Sequence, residues 1–120
     1  MRVSAQRTNA HTVVTVSEVV DLATSSELRK YLTDLVGSGT QSLVLDLSEV
    51  RYLDSTGLTV LIETYRLLGG QPGAMVVVCT DSLVRRVLEV TGLDRVFSVR
   101  PTVTEALRVL DDAQGRLFAP

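Results

Sequence analysis

The chain contains no tryptophan, one cysteine and one histidine, and aromatic residues make up 4% of its 120 positions. With so few flat rings, the core must be aliphatic. Few rings are available to stack on nucleic-acid bases. A formal net charge of −2 leaves no cationic excess for a phosphate backbone, so nucleic acid is not an expected partner. Cys79 has no second thiol, which excludes an internal disulfide and a thiolate metal cluster and fits a reducing compartment. It ends the run "AMVVVC" and reads as a buried strand thiol. No apolar run approaches the roughly 18 residues that span a bilayer. The N-terminal "MRVSAQRTNAHTVVTV" alternates polar and apolar residues and has no continuous apolar stretch of the secretory kind. These absences lead us to expect a cytoplasmic protein with no membrane partner.

Hydrophobic residues make up 45% of the chain, enough for one domain with a single core. "VSAQRT" and "HTVVTV" read as two short strands joined by a turn at Asn9 and Ala10, with His11 expected exposed at that turn. Thr24-Ser25-Ser26-Glu27 has the form of a capping box, with Thr24 as N-cap. Leu28, Leu32, Leu35 and Val36 then share a helical face, and Gly37 and Gly39 end the helix. "SLVLDL" and "GAMVVVC" are nearly continuous apolar strands, as when both faces are covered. Between them Leu58, Leu61, Ile62, Tyr65 and Leu68 mark one stripe of a second helix. Strand, helix, strand implies parallel neighbours. A third helix follows Thr80-Asp81-Ser82, with an apolar face of Leu83, Val84, Val87 and Leu88, and closes at Gly92. "RVFSV" is a short strand. Thr102 and Glu105 cap a last helix whose inner face is Ala106, Leu107 and Leu110. The order is ββαβαβαβα: one α/β domain over residues 1–113, a small sheet with helices packed on it, and a loose tail over 114–120 drawn from "DDAQGRLFAP".

Chemistry-bearing motifs are few. Gly69-Gly70-Gln71-Pro72-Gly73 follows a helix rather than a strand and lacks the lysine of a phosphate loop, so it reads as a turn and gives no support to a nucleotide binder. No His, Cys and carboxylate spacing suggests a metal, and no cofactor is expected. Arg85 and Arg86 read as a solvated helix face. Attention falls on "DSTG", Asp54 to Gly57. Ser55 suits the N-cap of the second helix. As a nucleophile it lacks the glycine two residues before it, since Leu53 stands there, and nothing places His11 beside it. The hydrolase reading is therefore weak, and no enzymatic activity is expected. A glycine in the first helical turn is unfavourable by about 1 kcal/mol or less. It does leave room for the close approach of another protein.

"LVLDLSEVRYLDSTGLTVLIETYRLL" resembles the central segment of STAS-domain anti-sigma-factor antagonists, in which D-S-[ST]-G-[LV] precedes the second helix. "SLVRRVLEVTGLDRVFSV" resembles their downstream helix with its T-G-L-x-x-x-[FIL] ending. The likeness runs from about Thr12 to about Asp111. It implies that Ser55, or alternatively Thr56, is phosphorylated. The kinase would be an anti-sigma factor with serine kinase activity, and a metal-dependent serine phosphatase would reverse the step. The unmodified form would bind the anti-sigma factor and release a sigma factor. Asp21, Thr24, Asp54, Ser55, Thr56, Gly57 and Leu58 would form the partner surface. The family's Gly-Glu-[Ile/Leu/Val]-Asp stretch corresponds to Glu18-Val19-Val20-Asp21, where Asp21 fits and the Gly-Glu pair is absent. Alternatively Ser17-Glu18 stands for that pair with one residue inserted. A second functional reading is a STAS interaction module that is never phosphorylated, a stress-signalling scaffold or a lipid-transporter accessory subunit, with Ser55 only a helix cap.

Overall fold

The computed structural model describes residues 1–71, 73–80 and 83–118. A five-stranded sheet has the spatial order β1-β2-β3-β4-β5: β1 Arg2–Thr8, β2 His11–Val20, β3 Leu43–Leu53, β4 Met75–Val78 and β5 Ser98–Arg100. β1 pairs antiparallel with β2 through a hairpin whose turn residue Asn9 has φ 59°, a left-handed geometry that asparagine tolerates. β2 to β5 are mutually parallel, each joined to the next by a helix. The helices are α1 Ser25–Gly37, α2 Ser55–Leu67, α3 Leu83–Thr91 and α4 Val103–Phe118, with a short 3₁₀ turn at Leu93–Arg95. This is the order the sequence implies. Pro72, Asp81 and Ser82 lie outside the described residues, and with them part of the glycine-rich turn and of the start signal for α3.

The period-two alternation of the strands divides the core into two layers. Leu43, Leu45 and Leu47 of β3 and Met75 and Val77 of β4 face α1, α2 and α3, which contribute Leu28, Leu32, Val60, Leu61, Val84 and Leu88. Val44, Val76 and Val78 face the other way, against Ala106 and Leu110 of α4 alone. Cys79 is buried just past β4, and burial pushes its thiol pKa up. Gly92 takes φ 77° and closes α3, as its sequence context implies.

Three sequence expectations are corrected here. Thr24 holds the N-cap position of α1 but makes no side-chain cap, so the Thr24–Glu27 box does not form. Its hydroxyl instead accepts from Asp21 N at 3.0 Å and donates to Val19 O at 3.0 Å, competing interactions within the preceding loop. The stretch 114–120 expected as a loose tail instead continues α4 as far as Phe118, and Ala119 and Pro120 lie outside the described residues. His11 is 1% exposed rather than a solvated turn residue. Its ring lies between Ser42 Oγ at 2.6 Å and Asp111 Oδ1 at 2.7 Å. Among the described residues, no helix is long and apolar enough to cross a membrane.

Candidate functional site

The C-terminal ends of the parallel strands lie along one edge of the sheet, and β2 and β3 deliver two loops there. Asp54 N donates to Val20 O at 3.1 Å, which holds the two strand ends together. The register of β3 against β2 advances by two residues between Thr12↔Leu43 and Val20↔Leu53, with irregularities at Thr15/Ser17 and Glu18/Val19. Glu18 sits at one of these with φ 76°, a conformation glycine adopts at little cost. A glycine would take this backbone most easily at position 18, as in the alignment that sets Asp21 against the aspartate of the Gly-Glu-x-Asp pattern. The Glu18 carboxylate turns toward the start of β1, to the Met1 amino group at 3.2 Å and Arg2 at 3.8 Å.

Asp54, not Ser55, caps α2. Its φ of −99° and ψ of −173° are extended, and one carboxylate oxygen accepts from Thr56 N at 2.9 Å and Gly57 N at 3.2 Å. The same oxygen accepts the Thr56 hydroxyl. The other oxygen accepts from Leu22 N at 3.2 Å across the gap to the β2–α1 loop. Four donors favour the ionised form, and the Thr56 hydroxyl contributes most to lowering the Asp54 pKa below its ordinary 3.8. Desolvation, the next-largest effect, opposes this, and the backbone donors Gly57 N, Thr56 N and Leu22 N lower the pKa further. The carboxylate therefore stays charged at neutral pH while it ties the two loops together.

Ser55 is displaced by one position into the first turn of α2, because aspartate outcompetes it for the cap. It is exposed, and its hydroxyl has no hydrogen-bond partner among the described residues. Thr56 is half-buried with its hydroxyl held by Asp54. Gly57 is buried: a Cβ there would overlap Leu53 Cδ1 and stand 3.0 Å from Val20 Cγ1. The glycine thus lets α2 seat on the ends of β2 and β3, and the room it leaves is filled from inside. Leu58 is half-buried against the main core.

Asp21 organises the facing loop. Its carboxylate accepts from Ala23 N at 3.0 Å and Thr24 N at 3.2 Å, and its carbonyl from Ser25 N at 2.8 Å. Asp21, Thr24, Asp54, Ser55 and Thr56 thus meet at one edge, with Gly57 beneath and Leu58 flanking. Two neighbours escape the sequence reading. Leu22, 77% exposed, and Tyr52, 48% exposed, line a shallow concavity with Asp21, Ala23 and Asp54. The available signal was an apolar residue, Leu22, in a polar turn where no helical or strand period requires one.

The STAS domain family model matches residues 2–106. The chain is 33% identical over 99 residues to an anti-sigma-F factor antagonist, RsfB, of Mycobacterium tuberculosis, covering 82% of this chain and 80% of that protein. It is 30% identical over 86 residues to an anti-sigma-B factor antagonist of Staphylococcus aureus, covering 72% of this chain and 80% of that one. A crystal structure of an anti-sigma factor antagonist from Mycobacterium paratuberculosis superposes with a TM-score of 0.86 at 33% identity, over 92% of this chain and 94% of the other. Fold, strand-end site and sequence agree: the chain belongs to the STAS-domain family, and the relatives it resembles here are anti-sigma-factor antagonists.

Proposed function

We propose that this protein is an anti-sigma-factor antagonist switched by phosphorylation of Ser55. The unmodified form binds an anti-sigma factor with serine kinase activity and so frees a sigma factor. The kinase transfers the γ-phosphoryl group of ATP to Ser55 Oγ: the new O–P bond forms, ADP leaves, and the hydroxyl proton passes to a base on the kinase. A metal-dependent serine phosphatase restores the hydroxyl. The observation that carries this reading is the difference between the two adjacent hydroxyls. Ser55 is exposed and unpartnered among the described residues, whereas Thr56 is half-buried and donates to Asp54.

The modification adds about −1.5 to −2 charges. At the start of α2 the helix dipole stabilises that charge by about 0.3–1 kcal/mol, and repulsion from Asp54 opposes it. These effects offset, so the fold is retained and the main consequence falls on the complex. There the added charge meets a surface fitted to a neutral hydroxyl. The test is incubation with ATP and a kinase-type anti-sigma factor from the same genome, followed by fragmentation mass spectrometry. Phosphate on Ser55, undiminished in Thr56→Val and absent in Ser55→Ala, supports the reading. Phosphate on Thr56 would relocate the site, and no phosphate on either would favour the unmodified interaction module.

A further inference from the structure

His11, Ser42 and Asp111 lie at the opposite end of β3 from Ser55 and take no part in the proposed switch. His11 opens β2, Ser42 immediately precedes β3, and Asp111 lies on α4. The imidazole is buried and has a partner on each ring nitrogen. The Asp111 carboxylate, 56% exposed at its side chain, accepts from the Nε2 proton. With the ring neutral, Nδ1 then accepts from the buried Ser42 hydroxyl, which fixes the tautomer.

Ser, His and Asp in line invite comparison with a hydrolytic triad, but the arrangement differs in two ways. The ring is reversed, because a triad serine faces Nε2 and its aspartate faces Nδ1. Ser42 is also buried, so a substrate would not reach it.

The energetics of α4 suggest another role. α4 alone covers the second face of the sheet, and its buried apolar residues there are Ala106 and Leu110. That contact is small beside the layer that holds α1, α2 and α3. The STAS family match ends at residue 106, so Asp111 lies beyond it. Past Leu110, Ala113 packs against Gly73 in the turn before β4, and the Asp111–His11 bond ties the same turn of the helix to β2.

We infer that Ser42, His11 and Asp111 form a latch that holds the C-terminal half of α4 against the strand-start edge of the sheet, making α4 an element that opens separately from the layer carrying Ser55. A hydrogen bond to a charged group, lost so that a buried ring nitrogen is left unpaired, changes an opening equilibrium by about tenfold or more. The experiment is amide hydrogen exchange on the full chain, comparing wild type with Asp111→Ala, a change at a half-exposed position that leaves the core intact. Exchange over residues 106–114 is expected to accelerate by about tenfold, with α2 and β3 unchanged. Nitrogen chemical shifts of the single histidine should report one fixed tautomer, protonated at Nε2, in wild type and a mixed population in the variant. Unchanged α4 exchange, or acceleration spread evenly over all elements, would overturn the latch. So would a wild-type ring already mixed between tautomers.

Discussion

At the scale of single residues, the site depends on which side chain takes the α2 cap. Aspartate and serine both cap well, and the sequence offers them side by side. Asp54 takes the position because its second oxygen also reaches Leu22 N, which a hydroxyl at position 55 does not do. Asp54 therefore holds the helix, and Ser55, the hydroxyl proposed for modification, is left exposed. Replacing Asp54 with alanine removes acceptors from Leu22, Thr56 and Gly57 together, so it should lower the melting temperature and speed exchange of those three amides. The pH dependence has a definite sign. The folded-state pKa is depressed below 3.8, so the stabilisation by Asp54 is complete above that value and is lost as pH falls through the depressed one. A carboxyl-carbon NMR titration should place the Asp54 midpoint below 3.8; a midpoint above it would contradict the four-donor geometry. Gly57 gives a second prediction. Alanine there gains up to about 1 kcal/mol of helix propensity but overpacks Leu53 and Val20, which costs about 1–3 kcal/mol. The expected net effect, measured by urea denaturation, is a loss of about 1 kcal/mol. A stabilised Gly57→Ala would show that the glycine serves outside access instead of packing.

At the scale of elements, the sequence was most legible where one period dominated. The near-continuous apolar runs of β3 and β4 told of a sheet covered on both faces, and it is covered by three helices on one side and α4 on the other. The stripe of α2 was read less well. Leu61 is buried as expected, but the deepest residues also include Gly57, Val60 and Thr64, a face rotated from the Leu58–Tyr65 line. Thr64 escapes an apolar count because its hydroxyl bonds to Val60 O within the helix at 2.8 Å, leaving its methyl to pack. The β2–α1 loop was the least legible. Its cap-like spelling at Thr24 to Glu27 is real, but Asp21 three residues earlier organises the turn. Local pattern does not rank two competing acceptors. His11 was missed for a related reason. Its partners Ser42 and Asp111 lie 31 and 100 positions away, beyond any local window.

At the scale of the whole molecule, the two layers have separate tasks. The thicker one, with α1, α2 and α3, fixes the strand-end edge where Asp21, Asp54 and Ser55 meet. The thinner one is closed by α4 and held at the opposite edge by His11. A modification at Ser55 thus adds charge to a surface supported by the larger core, and the expected response is a change of affinity with the fold kept. Glutamate at position 55 suits this test, because an acidic residue in the first turn of a helix is favoured by the dipole. The decisive measurement is the dissociation constant of a kinase-type anti-sigma factor for the unmodified chain and for Ser55→Glu, with circular dichroism recorded on both. The account predicts matching spectra and an affinity weakened by about a hundredfold or more, since mismatched charge at an interface costs several kcal/mol. Equal affinities, or a Ser55→Glu chain that has unfolded, would contradict it.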